Sequence, residues 1–357
     1  MEEKQRIIIK IGSNITLGKS QTTNILNVDV IIRILSVVQQ LHTNGHKVVL
    51  VVSGAVGAGR VTNKLTSSQA QAARGQWMLN ALISQNIPQN MDVALMLLSK
   101  EDIVNRQRFL TLQETFEELL ASNAVPIVNE NDATSIKGKN DFPDNDHLAA
   151  ILGVTIRADW LFLLTNVEGV YTGHPTHPES QLIEEITNVN MEILKVASVE
   201  GSELGRGGMI GKLQAARLAT AAGVETVITS GEKPEQILEI LTGTKYGTRC
   251  KARTHSDVKL SNRDRWTISS LSADGSIQVD AGAAKAVLQR RSLLAVGMKQ
   301  IYGAFASKDV VEIMNHEKET IGVGRVCCDS KELAEVAGQN EKPFNMQIVH
   351  ADDIILI

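Results

Sequence analysis

Two stretches of this sequence place a lysine beside small residues in a way that suits a phosphate group. Lys10 is followed by Gly12 and Ser13, and Gly205-Arg206-Gly207-Gly208-Met209-Ile210-Gly211-Lys212 runs into the Ala-rich segment Leu213 to Ala222. Small residues let backbone N–H groups approach an anion, and the lysine offsets its charge. A Gly-rich turn also serves simply to redirect the chain. A second kind of chemistry is concentrated in Asn129-Glu130-Asn131-Asp132 and Asp144-Asn145-Asp146-His147. Carboxylates and amides gathered this way suit a small zwitterion, whose ammonium needs acceptors and whose carboxylate needs donors. One residue of the second cluster would suffice to cap a helix. Ser53-Gly54-Ala55-Val56-Gly57-Ala58-Gly59-Arg60 and Thr165-Asn166 are further polar or small-residue stretches.

Standard nucleotide motifs do not fit. A P-loop needs glycine six residues before its lysine and Ser or Thr after it, but Arg206 and Leu213 flank Lys212 at those positions. The dinucleotide fingerprint follows the first strand, whereas Gly205, Gly207 and Gly211 come late and at the wrong spacing. His174 and His177 lie in a proline-stiffened turn without a carboxylate, so no protein metal site is read from them.

The elements that must position these residues follow from hydrophobic pattern. Short apolar runs, Arg6 to Gly12, Lys47 to Gly54, Val93 to Ser99, Val125 to Asp132, Trp160 to Asn166 and Glu225 to Gly231, alternate with amphipathic stretches. That alternation predicts an α/β three-layer sandwich with a mostly parallel central sheet, its strands buried on both faces. Val28, Ile31, Ile32, Leu35, Val38 and Leu41 mark the core face of one helix, and Phe109, Leu112, Phe116, Leu119 and Leu120 that of another. In such a sheet, ligands bind beyond the carboxyl ends of the strands, where the polar clusters fall.

After Gly243 the texture changes. Thr244 to Arg265 is polar and reads as connecting chain; Ser276 to Asp280, Asp309 to Met314 and Thr320 to Val326 are β-like, with a helix near Ala283 to Gln289. The expected division is a first domain over 1–255, a connector over 256–273 and a small β-rich domain over 274–357.

Composition limits the partners. The chain has 357 residues, 43% apolar and 21% charged, with a net charge of -4. These values are those of a folded, two-domain protein with too little field to draw it onto nucleic acid or an anionic membrane. The longest apolar run, Val93 to Leu98, is far short of the roughly 20 residues of a spanning helix, so no membrane partner is expected. Three cysteines, Cys250, Cys327 and Cys328, read as reduced packing residues of a cytoplasmic protein.

Lys10-Ile11-Gly12-Ser13, VVSGAVGAGR, VPIVNENDA, the DND triplet, LLTNVEGVYT and GRGGMIGKLQAA together resemble the amino-acid kinase family. The resemblance extends through RDRWTI and DAGAAKAVLQR into a PUA-like C-terminal domain and so covers essentially the whole chain. It implies transfer of the ATP γ-phosphoryl group to the side-chain carboxylate of L-glutamate, the opening step of proline synthesis, with Mg2+ carried on ATP and no protein metal ligand. Lys10 and Lys212 match phosphate-facing lysines, and Asp146 matches the aspartate that holds them. Ser53, Asp132 and Asn145 match glutamate-binding positions, with Asn129 and Asp144 beside them. Lys10, Thr165, Asn166, Arg206, Gly207, Gly208, Met209, Ile210, Gly211 and Lys212 match nucleotide-binding positions. Asn166 stands where the family usually has Asp, and Arg206 and Gly211 where it has hydroxyl residues; these departures bear on nucleotide preference. The resemblance further implies feedback inhibition by proline and a homo-oligomer. Sibling acceptors are aspartate, N-acetylglutamate and a nucleoside monophosphate. An RNA-binding role for the C-terminal domain is opposed by its charge: Arg263 to Ile357 holds 11 Lys and Arg against 13 Asp and Glu.

Overall fold

A computed structural model describes residues 4–18, 25–60, 65–135, 142–190, 193–194, 208–252, 260–318, 320–337 and 346–356. The chain divides into two compact units, residues 1–189 with 193–254, and residues 190–192 with 255–357.

The first unit is built on an eight-stranded sheet. Its strands are β1 (Arg6–Ile11), β2 (Lys47–Val52), β3 (Val93–Leu98), β4 (Val125–Glu130), β5 (Trp160–Thr165), β6 (Glu185–Ile186), β7 (Glu225–Ser230) and β8 (Thr248–Cys250). Their order is β3-β4-β2-β1-β5-β7-β8-β6, and every pairing is parallel except that of β8 with β7. The helices that matter here are α1 (Val28–Thr43), α2 (Ala55–Gly59), α3 (Ser68–Asn86), α4 (Lys100–Val104), α5 (Arg106–Ala121), α6 (Asn145–Thr155), α7 (Met209–Ala221) and α8 (Gln236–Leu241). Alternation along β1 builds the layers. Ile7, Ile9 and Ile11 enter one core with α1, α3 and α8. Ile8 faces the opposite side, near Gly153 of α6. Two apolar faces covered by helices give the three-layer sandwich that the strand pattern predicts.

Three readings of burial need correction. Val28 and Ile32 are each 41% exposed, because the inward stripe of α1 centres on Ile34 and Val38 and leaves those two on its flank. Strand β3 is not buried on both faces; it is the edge of the sheet, and Leu95 and Leu97 are exposed. Cys250 and Cys328 are buried, but Cys327 is exposed, so it is not a packing residue of the core. The polar stretch after Gly243 is also more than connecting chain. Thr248–Cys250 is a sheet strand anchored by the Thr248 hydroxyl, which donates to the Ile183 carbonyl at 2.6 Å.

The second unit carries a six-stranded, mostly antiparallel sheet whose principal strands are Leu271–Val279, Met298–Tyr302, Val310–Met314, Thr320–Val326 and Gln347–Leu356. It has its own core around Ile277, Val279, Val311, Ile313, Leu333 and Ile348. A helix over Asn262–Ser269 groups with this unit; a capping box between Ser261 and Asp264 starts it, and Thr267, Ile268 and Ser269 are buried.

Candidate active site

The strand order reverses at β1, which has β2 on one side and β5 on the other. That is the switch point at which an open α/β sheet forms a crevice beyond its strand ends. Register brings the ends level: Ile11 pairs with Val52 and with Leu164, so Gly12, Ser53 and Thr165 lie side by side.

Lys10 precedes this edge and, by the alternation of β1, faces α6 and α7 rather than the isoleucine core. Its ammonium meets Asp146 Oδ1 at 2.6 Å, and Lys212 Nζ meets Asp146 Oδ2 at 2.8 Å. Asp146 is in the first turn of α6 and Lys212 in the first turn of α7, so two helix N-termini converge on one strand. Exposure is 0% for Asp146 and 4% for each lysine. A buried charge must be paired to be tolerated, and here each carboxylate oxygen holds one ammonium. Burial disfavours the Asp146 charge, but Lys10 and Lys212 outweigh it and hold the carboxyl below its ordinary range. The Lys10 amine is lowered, first by burial and then by Lys212, against the pull of Asp146. The result is a pair of ammoniums fixed about one carboxylate at the crevice floor, a preorganised arrangement for charge that develops on phosphoryl oxygens.

Beside it lies a chain of amides. Asn129, at the end of β4 and 1% exposed, accepts from Asn145 Nδ2 at 2.8 Å. The same Asn145 amide donates to Ser53 Oγ at 2.9 Å. Asp144 caps α6 by accepting from the His147 backbone N–H at 2.8 Å. Burial, and then the neighbouring Asp146 charge, push its carboxyl up to about 6. Ser53 is held by the turn into α2, where Gly54 has φ 108°, a left-handed conformation that favours glycine.

The structure thus brings together Lys10, Lys212 and Asp146, and separately Ser53, Asn129 and Asn145, with Asp144 immediately ahead of Asn145 and Asp146 in sequence. Asp132 lies two residues beyond β4, partly exposed. Thr165 ends β5 and is buried, its hydroxyl 3.3 Å from the Oδ1 of exposed Asn166. Gly208, Met209, Ile210 and Gly211 lead into Lys212 at the start of α7, and Ile210 is exposed. Arg206 and Gly207 lie outside the described residues. His174 and His177 pack edge to face at 5.5 Å.

Two residues of this neighbourhood receive no individual role from the sequence. Glu130 is buried and accepts from the Phe142 backbone N–H at 3.0 Å, tying β4 to the segment just before Asp144. Gln76, on α3, accepts from Asn129 Nδ2 at 2.6 Å. Glu130 sits inside the polar NEND run, a usable signal. Gln76 carries none, because α3 has no continuous apolar stripe and only Ala72, Gly75, Leu79 and Ile83 are buried.

Residues 5–230 match the model of the amino acid kinase family, and residues 275–343 match the PUA domain. The chain belongs to the amino acid kinase family. Among curated proteins it is 35% identical to the glutamate 5-kinase of Citrobacter koseri, over 99% of this chain and 100% of that one. It is 33% identical to the glutamate 5-kinase of Vibrio campbellii, over 100% of this chain and 97% of that one. Among solved structures, the carbamate kinase of Giardia superposes with a TM-score of 0.52 at 18% identity, covering 71% of this chain and 100% of that one. The N-acetylglutamate synthase of Neisseria gonorrhoeae, solved with coenzyme A and L-arginine, gives 0.50 at 15% identity over 80% of this chain and 66% of that one. These two likenesses concern the fold.

Proposed function

We propose that this chain is a glutamate 5-kinase, transferring the γ-phosphoryl group of ATP to the side-chain carboxylate of L-glutamate to give L-glutamyl 5-phosphate and ADP, the first step of proline biosynthesis. The observation that carries the mechanism is Asp146, fully buried with one ammonium on each oxygen. A carboxylate oxygen of glutamate forms the new bond to γ-phosphorus as the bond to the β–γ bridging oxygen breaks, and ADP keeps that electron pair. The nucleophile is already ionised at neutral pH, so no general base is needed. Both reactants are anionic. Lys10 and Lys212 offset the charge that spreads over the transferring group, and Asp146 keeps them from moving as it does so.

Ser53, Asn129, Asn145, Asp144 and Asp132 hold glutamate in this reading. Thr165, Asn166 and residues 206–212 hold the nucleotide with Lys10. Mg2+ enters on ATP; both oxygens of Asp146 are engaged by lysines, which fits a metal held by phosphates rather than by that carboxylate. Full-length similarity to glutamate 5-kinases favours glutamate over the sibling acceptors. Proline, which shares the α-carboxylate and amino nitrogen, is proposed as an inhibitor at the glutamate pocket, and the enzyme as a cytoplasmic homo-oligomer. Among the described residues no helix is long and apolar enough to cross a membrane.

The test is ADP release with glutamate, aspartate, N-acetylglutamate and UMP in parallel, any acyl phosphate being trapped by hydroxylamine. Glutamate should be strongly preferred and yield the hydroxamate. Preference for N-acetylglutamate would move the chain to a sibling activity.

A further inference from the structure

The amide chain beside the lysines has a direction, and its direction starts at a group that cannot reverse. Asn129 Oδ1 accepts from the backbone N–H of Glu130 at 2.8 Å. A backbone N–H is only ever a donor, so the oxygen of Asn129 is fixed on that side and its Nδ2 must point the other way. There it meets Gln76 Oε1 at 2.6 Å. Gln76 can serve only by presenting its oxygen, and its own Nε2 is committed to Asn80 Oδ1 at 3.0 Å. On the other side, Asn129 Oδ1 also takes Asn145 Nδ2 at 2.8 Å. Asn145 is therefore oriented with its nitrogen toward Asn129 and Ser53, and its Oδ1 turned away. That Oδ1 is buried and has no hydrogen-bond partner among the described residues. An acceptor left in this state demands a donor, because an unmet buried polar atom is costly.

We propose that Gln76 is a positioning residue which, through Asn129, holds Asn145 Oδ1 as the acceptor for the α-ammonium of the amino-acid substrate. The proposal rests on the glutamate 5-kinase reading and extends it to a helix that holds none of the residues the sequence assigns to the site. Removing the oxygen of Gln76 leaves Asn129 Nδ2 without its acceptor. The Glu130 N–H still fixes the side on which the Asn129 oxygen lies, but the amide is then held at that end alone, and the distance and angle it offers Asn145 are no longer set. A ligand with an amine should suffer; one without should not.

The experiment compares Gln76→Met, which keeps length and helix propensity but has no acceptor oxygen, with Gln76→Glu, which keeps one. Gln76→Leu provides a second apolar replacement should the Met variant fail to fold. KM for glutamate and for ATP is measured with each, together with the half-saturation of glutarate, the same dicarboxylate without the amine, as substrate or competitor. The expected result is a rise of about tenfold or more in glutamate KM for Met or Leu, as for loss of a hydrogen bond to a charged group. ATP KM, glutarate half-saturation and melting temperature should stay close to wild type, and Gln76→Glu should restore most of the glutamate affinity. Equal weakening of glutamate and glutarate, an unchanged glutamate KM, or a Glu variant as impaired as Met would each overturn the proposal while leaving the kinase reading intact. A wild-type chain without glutamate-dependent ADP release would overturn the kinase reading itself, and this proposal with it.

Discussion

Lys10, Lys212 and Asp146 form a unit whose members should respond differently to removal. Lys10→Met or Lys212→Met leaves Asp146 paired with the remaining lysine, a neutral couple, so the fold should survive. Loss of one preorganised cation should lower kcat by roughly 10²–10³ while glutamate KM changes far less. Steady-state kinetics with a thermal melt checks this, and near-normal kcat in both folded variants would sink the mechanism. Asp146→Asn instead leaves two buried ammoniums without their shared counter-charge. It should destabilise the protein by about 3–5 kcal/mol and abolish activity, which chemical denaturation would reveal. Asp144 gives a pH test. Its carboxyl is pushed up to about 6, so it takes a proton as pH falls through that value and loses the negative charge that would face a substrate ammonium. kcat/KM for glutamate should therefore fall below about pH 6, and Asp144→Asn should show a lower plateau without that acid limb. A wild-type profile flat from pH 5 to 8 would remove Asp144 from the pocket.

At the scale of elements, the site depends on how closely α3 lies against α2. A Cβ on Gly75 would stand 1.8 Å from the Ala55 carbonyl oxygen, and one on Gly59 would stand 1.8 Å from that of Gln71. The two backbones touch through glycines on both helices. Gln76 follows Gly75 directly, so the contact that seats α3 also sets the reach of the amide chain to Asn129. Gly75→Ala should force the helices apart, destabilise by about 1–3 kcal/mol and raise glutamate KM more than ATP KM. Comparison of denaturation midpoints and the two KM values tests this; equal loss for both substrates would make Gly75 a matter of packing alone.

For the whole molecule, the two separate cores suggest where the chain can be divided. We propose a boundary near Thr254, ahead of the helix Asn262–Ser269, because the capping box and buried end of that helix belong with the second unit. Residues 1–254 alone should melt cooperatively and retain glutamate-dependent ADP release, since domains of this size carry their own core. A product that stays insoluble would place the boundary elsewhere. Ending the chain near residue 273 instead would expose Ile268, buried in the full chain, and should give the less soluble protein of the two.

The β-branched or continuously apolar runs of β1, β2, β4, β5 and β7 were legible because buried parallel strands are nearly continuous in apolar residues, and their polar ends marked the crevice. The motif resemblance likewise singled out Lys10, Asp146 and Lys212, which the structure brings into contact. The sequence alone could not order the strands. That order makes β3 an exposed edge with Leu95 and Leu97 uncovered, although its composition is as apolar as that of the central strands. Nor could residue pattern, without the resemblance that implied it, show the sharing of Asp146 between two lysines. The carboxylate lies 136 residues from one and 66 from the other, and only the convergence of α6 and α7 on β1 joins them. Gln76 was hidden for a related reason. A helix seated through glycine and alanine shows little hydrophobic period, and the partner that fixes the role of its glutamine, Asn129, comes from a strand 53 residues away. Local pattern reports which face of an element is buried; which residues meet across elements is decided by packing.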